Sequence, residues 1–406
     1  MPPPSAEDRA GFATRAIHRA AAPDAVQTPS AVPLYQTSTW RFESLEEFAE
    51  VIAGRRAGHV YGRGYGNPTV EAFEAVLADL EGTEAAFAFD SGMAAIHGVA
   101  TTLARAGDRV VASHRLYGGT YSLFSEVLPR YGIDVVLVDA TDLDAVAAAL
   151  PGARMLYVET IDNPLVGVAD LGALAGLCAE AGVPSVVDNT FASPYLCNPA
   201  AHGFDYVLHS ATKYIGGHSD LIGGVVCCSS ERRAAVRATA IEVGGAMQPF
   251  EAWLCIRGLA TLALRMERHC ASAEEVATAL QASPAVTVTH YPGLAHHPSH
   301  ESARRHLRRF GGMVAAELAG GYDAARQFCD ALQLAWIAAS LGGAHTLVAH
   351  PASTTHRQVD PAARTAQGIS DGLVRLSVGL EDPADIVADV GRALEAAGAG
   401  SSFTFS

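Results

Sequence analysis

The sequence predicts an α/β fold, in which helices cover both faces of a mostly parallel sheet of the seven-stranded type and a smaller α+β unit follows. Two observations lead to this prediction. Short runs of Val, Ile, Leu and Ala alternate with helical segments over residues 69–228, a pattern typical of strands buried on both faces. The chain of 406 residues is also long for a single core, and its pattern of helices and strands changes after residue 268.

The elements can be placed in order along the chain. An amphipathic helix at residues 44–52 comes first, because Ser44 and Glu47 form a capping box at its start. The strands predicted next are Ala85–Phe89, Arg109–Ser113, Asp134–Asp139, Met155–Glu159, Ser185–Asp188, Tyr206–His209 and Gly224–Cys228. The helices between them are predicted at Val70–Leu80, after Met93, around Tyr121–Tyr131, at Leu143–Leu150 and at Leu171–Ala181.

A long helix is predicted at Trp253–Arg268, and the second unit follows it. Its further elements are strands at Val286–His290, Met313–Glu317 and Leu373–Val378, a helix at Ser299–Arg309 and a closing helix near Ala384–Ala396.

Composition excludes several classes of function. A net charge of −15 repels nucleic acid and anionic membranes. The start of the chain lacks a signal-peptide pattern, and no stretch has the roughly 20 apolar residues of a spanning helix. We therefore expect a soluble, cytoplasmic protein whose seven cysteines are reduced and structural. The histidine tract at residues 296–300 follows a turn and lacks ligand spacing, so we predict a solvated loop and no metal.

Lys213 is the only lysine among 28 basic side chains, all the others being arginine. Arginine stays charged, whereas a buried lysine can lose its proton and attack a carbonyl carbon. Lys213 is therefore a candidate Schiff-base nucleophile. The alternative is a surface lysine left over from codon bias, and the surrounding residues must decide between the two.

Polar residues recur at the carboxyl ends of the predicted strands, where such sheets bind ligands. Asp188 ends an apolar strand, a costly place for a carboxylate unless a cation such as a protonated pyridine nitrogen accompanies it. It could instead cap a helix. Ser91 and Gly92 lie between a strand and a helix, an arrangement that suits phosphate. Tyr117 could stack on a flat cofactor or belong to the core.

Several motifs, in order, resemble the Cys/Met-metabolism, or trans-sulfuration, family of pyridoxal-phosphate (PLP) enzymes over residues 33–396. They are Tyr61-Gly62-Arg63, Asn67-Pro68-Thr69, Asp90-Ser91-Gly92-Met93, Asp162-Asn163-Pro164, Val187-Asp188-Asn189-Thr190, Ser210-Ala211-Thr212-Lys213-Tyr214, Ser340-Leu341-Gly342-Gly343 and Arg375-Leu376-Ser377-Val378-Gly379. The resemblance implies the aspartate-aminotransferase-like fold, which is PLP fold type I. It also implies three regions: an N-terminal arm contacting a partner subunit (1–64), a PLP-binding large domain (65–257) and a C-terminal small domain (258–406).

The resemblance also implies roles for individual residues. Lys213 would bind PLP covalently and then shuttle protons, and Tyr117 would stack on its ring and serve as an acid or base. The other residues implied to contact PLP are Ser91, Gly92, Met93, Asn163, Asp188, Ser210, Thr212 and, from the neighbouring subunit, Tyr61 and Arg63. Ser340 and Arg375 would bind the substrate carboxylate, and His345 stands where cystathionine-handling members carry a Glu.

The function implied is γ-elimination on a methionine- or homoserine-like L-amino acid, through a vinylglycine-type intermediate, to a 2-oxo acid and ammonia. One alternative is γ-replacement of the cystathionine γ-synthase or O-acylhomoserine sulfhydrylase type, because residues 351–356 resemble sulfhydrylases. Another is a specialised lyase for an unusual γ substituent, with His345 in its pocket. The family further implies a homotetramer, built as a dimer of dimers.

Overall fold

The computed structural model describes residues 11–18 and 29–399. The first ten residues, residues 19–28 of the expected arm and the last seven residues of the expected small domain lie outside the described part. Twelve strands lie in these ranges: β1 (Ala85–Phe89), β2 (Arg109–Ser113), β3 (Asp134–Val138), β4 (Ala153–Glu159), β5 (Ser185–Asp188), β6 (Tyr206–Ser210), β7 (Gly224–Cys228), β8 (Val286–His290), β9 (Met313–Leu318), β10 (Trp336–Ile337), β11 (Leu347–Ala349) and β12 (Leu373–Ser377).

The α-helices of the same ranges are α1 (Phe12–His18), α2 (Leu45–Ile52), α3 (Pro68–Glu81), α4 (Gly92–Leu103), α5 (Gly118–Ser122), α6 (Leu128–Arg130), α7 (Leu143–Ala149), α8 (Leu171–Ala181), α9 (Ser193–Leu196), α10 (Ser230–Val243), α11 (Pro249–Ala260), α12 (Leu262–Ala282), α13 (His300–His306), α14 (Gly321–Ala331), α15 (Pro361–Ala366) and α16 (Pro383–Ala399). Among them, α3, α4, α7 and α8 alternate with strands as the sequence predicts. A π-helical turn at Leu123–Val127 joins α5 to α6, and 3-10 turns occur at Pro199–His202 and Pro351–Ser353.

The larger sheet has the strand order β1-β7-β6-β5-β4-β2-β3. Strand β7 is antiparallel to both of its neighbours, and the other neighbouring strands are parallel. This is the mostly parallel seven-stranded sheet that the sequence predicts. Because β1, β2, β4, β5 and β6 point the same way, their carboxyl ends meet at one edge.

Both faces of this sheet are buried. Along β4, Leu156 and Val158 belong to the core on one side, whereas Met155 and Tyr157 belong to the core on the other. Side chains of a strand alternate between its two faces, so this pattern requires helices on both sides. Helices α3, α8, α11 and α12 contribute to the first core, and α4 and α10 contribute to the second.

The smaller sheet has the order β10-β11-β12-β9-β8 and is mostly antiparallel. Helices α12, α14 and α16 pack on it around a third core that includes Val276, Phe328 and Val390. Its central strand β12 is entirely buried and carries Arg375.

The helix predicted at Trp253–Arg268 is wrong as a single element. The structure has two helices, α11 and α12, separated at Thr261, whose backbone angles (φ −112°, ψ 5°) leave the helix. Near the end of α11 the chain packs closely on the segment after Lys213, because a Cβ at Gly258 would lie 2.2 Å from the Ile215 carbonyl oxygen. Arg265 then binds the carbonyl oxygen of Gly258, a contact that sequence periodicity does not record.

All seven cysteines are buried and unpaired, as predicted. Across residues 11–18 and 29–399, none of the helices is both long enough and apolar enough to span a bilayer.

Candidate active site

A cavity of about 430 Å³ opens at the carboxyl ends of the parallel strands, with loops of the smaller unit forming its outer wall. Eleven of the residues expected from the sequence line it: Ser91, Gly92, Met93, Tyr117, Asn163, Asp188, Ser210, Thr212, Lys213, Ser340 and Arg375. They come from seven separate stretches of the chain, which the topology brings to one sheet edge.

Lys213 lies in the turn after β6, with its side chain mostly buried. Its Nζ donates a hydrogen bond to the hydroxyl oxygen of Ser340, at 2.9 Å. Burial, and then the charge of Arg375, lower the pKa of Lys213 from 10.5 to about 8, and Asp188 opposes that shift. The lysine is thus held in the cavity in a state close to deprotonation, which is the state in which an amine attacks a carbonyl.

Asp188 ends β5, and its side chain reaches the cavity. Its carboxylate accepts hydrogen bonds from the backbone N–H of Thr190, at 2.9 Å, and from the Tyr157 hydroxyl, at 3.3 Å. Burial raises the pKa of Asp188, because a carboxylate in the low-dielectric interior needs a cation to compensate it. A ligand that brings a protonated nitrogen to this carboxylate would supply that cation.

A tight backbone cradle lies between β1 and α4. Ser91 caps α4 by accepting a hydrogen bond from the N–H of Ala94, so the first N–H groups of the helix face the cavity. A Cβ at Gly92 would lie 2.8 Å from Cβ of Ser210, so only glycine fits against the end of β6. The positive end of a helix with free N–H donors suits a phosphate.

Arg375 enters the cavity from β12 and is 3% exposed. Its Nη1 donates to Oδ1 of Asn163, at 2.8 Å, and its Nη2 donates to the carbonyl oxygen of Ser340, at 3.2 Å, while its Nε has no hydrogen-bond partner. No carboxylate of the described residues forms an ion pair with it, and burial lowers its pKa to about 10. A buried guanidinium without a counter-ion is suited to bind a carboxylate.

Two further residues of the cavity, Glu159 and Thr190, were not expected from the sequence. Thr190 accepts a hydrogen bond from the backbone N–H of Ser210, and Glu159 ends β4 beside Asp188. The rule that selected Asp188, a carboxylate at the end of an apolar strand, applies equally to Glu159 and could have found it.

Three expected site residues lie elsewhere in this chain. Tyr61 is exposed and outside the cavity. Arg63 donates to the backbone carbonyl oxygen of Ile241, next to a different pocket. Tyr61 and Arg63 are expected to act in the neighbouring subunit, whereas His345 is expected in the substrate pocket. In this chain His345 lies at the surface and stacks on Trp336, with ring centroids 4.0 Å apart, because the turn before β11 directs it to β10.

The lining of the cavity fits PLP. Asp188 is a buried carboxylate in need of a cation, Gly92 and the first N–H groups of α4 form an anion site, and Lys213 is a buried amine of lowered pKa. Tyr117 lies at the rim, with 42% of its surface exposed and its side chain lining the cavity. A pyridine ring, a phosphate and an aldehyde would each meet the matching group.

Comparison with known proteins agrees with the geometry. A family model described as Cys/Met metabolism PLP-dependent enzyme matches residues 13–395. The L-methionine gamma-lyase of Pseudomonas putida is 44% identical over 95% of this chain and 98% of its own, and that of Porphyromonas gingivalis is 42% identical with the same coverage.

A solved structure of another relative has the same fold. The cystathionine gamma synthase of Xanthomonas oryzae pv. oryzae, in complex with cystathionine, superposes with a TM-score of 0.91 at 37% identity, over 96% of this chain and 99% of the other. The family model spans nearly the whole chain. The two lyases are 44% and 42% identical to this chain over almost their full length, which is high enough to establish common membership. The chain belongs to the Cys/Met metabolism family of PLP-dependent enzymes.

Proposed function

We propose that this enzyme catalyses γ-elimination on a methionine- or homoserine-like L-amino acid. With methionine and water as reactants, the products are 2-oxobutyrate, ammonia and methanethiol. The proposal is supported by similarity to L-methionine gamma-lyases over nearly the full length of both chains. The charges in the cavity favour a methionine- or homoserine-like substrate over cystathionine.

Among the described residues that line the cavity, only Glu159 and Asp188 carry a carboxylate, and both end strands of the large sheet. Apolar side chains, among them Ile222 and Leu341, form much of the remaining lining. A second ammonium group at the far end of a substrate would lose its hydration there without gaining a partner, whereas a thioether or an ester would not.

The roles of the chain's own groups follow from their positions. Bound PLP supplies an electron sink that makes the protons on Cα and Cβ of the amino acid acidic. Lys213, with a pKa of about 8, takes up and returns protons near neutral pH. Arg375 holds the substrate carboxylate through its positive charge, which no carboxylate of the described residues pairs, and through its unpartnered Nε. Tyr117, at the rim of the cavity, stacks on the ring and delivers a proton to the departing γ substituent.

Asp188 and the residues around the phosphate cradle complete the assignment. We propose that Asp188 holds the ring nitrogen protonated, that Asn163 contacts the ring on its oxygen side and that Ser340 binds the substrate carboxylate beside Arg375. The residues proposed to bind the phosphate are Ser91, Gly92, Met93, Ser210 and Thr212. A role for His345 in selecting the substrate requires that it act from outside the cavity of its own chain.

A second candidate function is γ-replacement, in which a thiol or sulfide displaces the γ substituent of an activated homoserine. Thr355, from the segment at residues 351–356, lines the cavity and favours this candidate, because that segment resembles sulfhydrylases. The similarity to a cystathionine gamma synthase also supports it.

We further propose a homotetramer built from dimers that share their active sites. Arg63 and Tyr61 support this, because both belong to motifs of the family's cofactor site but neither lines the cavity of its own chain. In this proposal residues 1–64 are the arm that contacts the partner, residues 65–257 form the large PLP-binding domain and residues 258–406 form the small domain. The cytoplasmic location expected from the sequence stays a prediction.

A substrate panel separates the two candidate reactions. Purified enzyme is incubated with L-methionine, cystathionine, O-acetylhomoserine and O-succinylhomoserine, each with and without an added thiol, and 2-oxobutyrate is measured. The lyase proposal predicts 2-oxobutyrate from methionine without thiol and a weaker reaction with cystathionine. Products that form only when thiol is present would favour replacement.

A further inference from the structure

Glu159 occupies a central position that no assigned role explains. It is the last residue of β4, pairs in register with Asp188 on β5 and is only 8% exposed. Within the described ranges, no Arg, Lys or His side chain forms an ion pair with it. A buried carboxyl group that lacks a charged partner must be retained for its hydrogen bonds or for its contact with the cavity.

Glu159 is hydrogen-bonded to a loop of the active site. Its Oε1 accepts from the backbone N–H of Tyr117, at 2.8 Å. One side chain at the end of a rigid strand therefore fixes the main chain at Tyr117, a residue that we assign to the cofactor ring.

Tyr117 has few other constraints. It precedes α5, so its N–H lies ahead of the helical hydrogen bonds and needs a partner from elsewhere. Its side chain is 42% exposed, and its hydroxyl makes no hydrogen bond within the described residues. The direction in which the ring projects over the cavity is consequently set by the backbone that Glu159 holds.

We propose that Glu159 is a positioning residue, which holds Tyr117 over the PLP ring through the backbone N–H of Tyr117. This inference rests on the proposed role of Tyr117 and extends it to the group that fixes its geometry. Glu159 acts through its hydrogen bonds and not through its charge.

The electrostatics of the site disfavour a charge on Glu159. Burial, and then the negative charge of Asp188, raise the pKa of Glu159 well above its usual value. The carbonyl oxygen of a protonated carboxyl group still accepts a hydrogen bond. Glutamine has the same shape and the same acceptor, so it should replace this residue with little loss.

The test compares Glu159→Gln with Glu159→Ala, using circular dichroism in the visible absorption band of bound PLP, the dissociation constant of PLP and the separate values of kcat and KM. Glu159→Ala should change the dichroism, weaken PLP binding on the order of tenfold and lower kcat more than it raises KM. Glu159→Gln should stay within about twofold of the wild type in all three. Equal losses in both variants would overturn the inference, and so would an unaffected Glu159→Ala.

Two further variants make the result specific. Asp205→Ala removes a carboxylate that binds the backbone N–H of Ser185 at the opposite end of the same sheet, and it should leave the dichroism of PLP unchanged. Tyr117→Ala should reproduce the loss of Glu159→Ala. A loss in Tyr117→Ala without one in Glu159→Ala overturns the role of Glu159 alone, whereas no loss in either variant overturns the proposed role of Tyr117.

Folding of the variants is checked by thermal unfolding. If Glu159→Ala does not fold, Glu159→Asp takes its place, because its carboxyl group is one methylene too short to reach the N–H of Tyr117. Wild-type dichroism in folded Glu159→Asp would then contradict the inference.

Discussion

Lys213 combines three properties that together make it the reactive amine of the site. It is buried, its Nζ is held by Ser340, and the charge of Arg375 nearby disfavours its protonated form. Arginine could not replace it, because a guanidinium keeps its proton throughout the physiological range.

The lowered pKa of Lys213 gives a direct prediction for the apoprotein. Because the pKa lies at about 8 instead of 10.5, the free amine of Lys213 predominates above pH 8. The rate at which an amine-reactive reagent acylates Lys213 should therefore rise through pH 8 and level off above pH 9. Since the chain has a single lysine, peptide mapping distinguishes this reaction from that of the terminal amine. A rate that keeps rising to pH 10 would contradict the assigned environment.

Gly119 leaves the space that the ring of Tyr117 occupies. A Cβ at this position would lie 2.6 Å from Cε1 of Tyr117, so Gly119→Ala should displace the ring while the fold is retained. We expect kcat to fall about tenfold or more, with little change in unfolding temperature. Gly176→Ala, in α8 with nothing near its added methyl group, is the matched control and should leave kcat unchanged.

At the scale of elements, the break between α11 and α12 supports the turn that carries Lys213. Arg265 is buried, and it donates hydrogen bonds to the carbonyl oxygens of Tyr214, at 2.6 Å, and Gly258, at 2.7 Å. It thereby satisfies carbonyl groups at the end of α11 and in the Lys213 turn at the same time.

Removing this arginine should therefore destabilise the protein and loosen the lysine turn. Arg265→Ala should lower the free energy of unfolding by about 3 kcal/mol, because buried carbonyl groups lose their donors and a cavity forms. Urea denaturation measures the change. Arg257→Ala, which removes an exposed arginine from α11, should cost less than about 1 kcal/mol; equal losses in the two variants would refute the proposed support.

The strands of the large sheet could be predicted from sequence almost residue by residue. Strands β1, β2, β5 and β7 have the predicted bounds, because a buried strand between helices must be a short continuous apolar run. Helix α10 was missed, since its charged residues hide its weak apolar stripe. The π-helical turn at Leu123–Val127 and the break at Thr261 were also missed, because the apolar pattern continues through both of them.

At the scale of the whole molecule, sequence motifs predicted the lining of the cavity better than its surroundings. Residues at strand ends, such as Asp188 and Lys213, converge because the topology brings those ends together. His345 lies outside the cavity, since a match by sequence position does not determine the direction of a side chain in a loop. Glu159, like Asp188, is a carboxylate at the end of an apolar strand, so its place in the cavity could have been predicted. Its partner, the backbone N–H of Tyr117, could not, because no side-chain motif records such a contact.

The shared active site can be tested by combining two variants, each of which is impaired by itself. Arg63→Ala should weaken PLP retention, and Lys213→Ala should abolish turnover. A mixed dimer has one subunit with Arg63→Ala and one with Lys213→Ala. If Arg63 acts across the interface, one site of this dimer combines the intact Lys213 of the first subunit with the intact Arg63 of the second, and the other site carries both substitutions. Co-expression should then restore about a quarter of wild-type activity at limiting PLP; activity no greater than that of Arg63→Ala alone would exclude a shared site.

The central claim, γ-elimination that depends on Lys213, is tested most directly by the release of 2-oxobutyrate from L-methionine in the absence of any added thiol. We predict steady release by the wild type, with equimolar ammonia and methanethiol, and a rate at least about 1,000-fold lower for Lys213→Ala. No release without thiol, together with product formation when thiol and an activated homoserine are supplied, would contradict the claim.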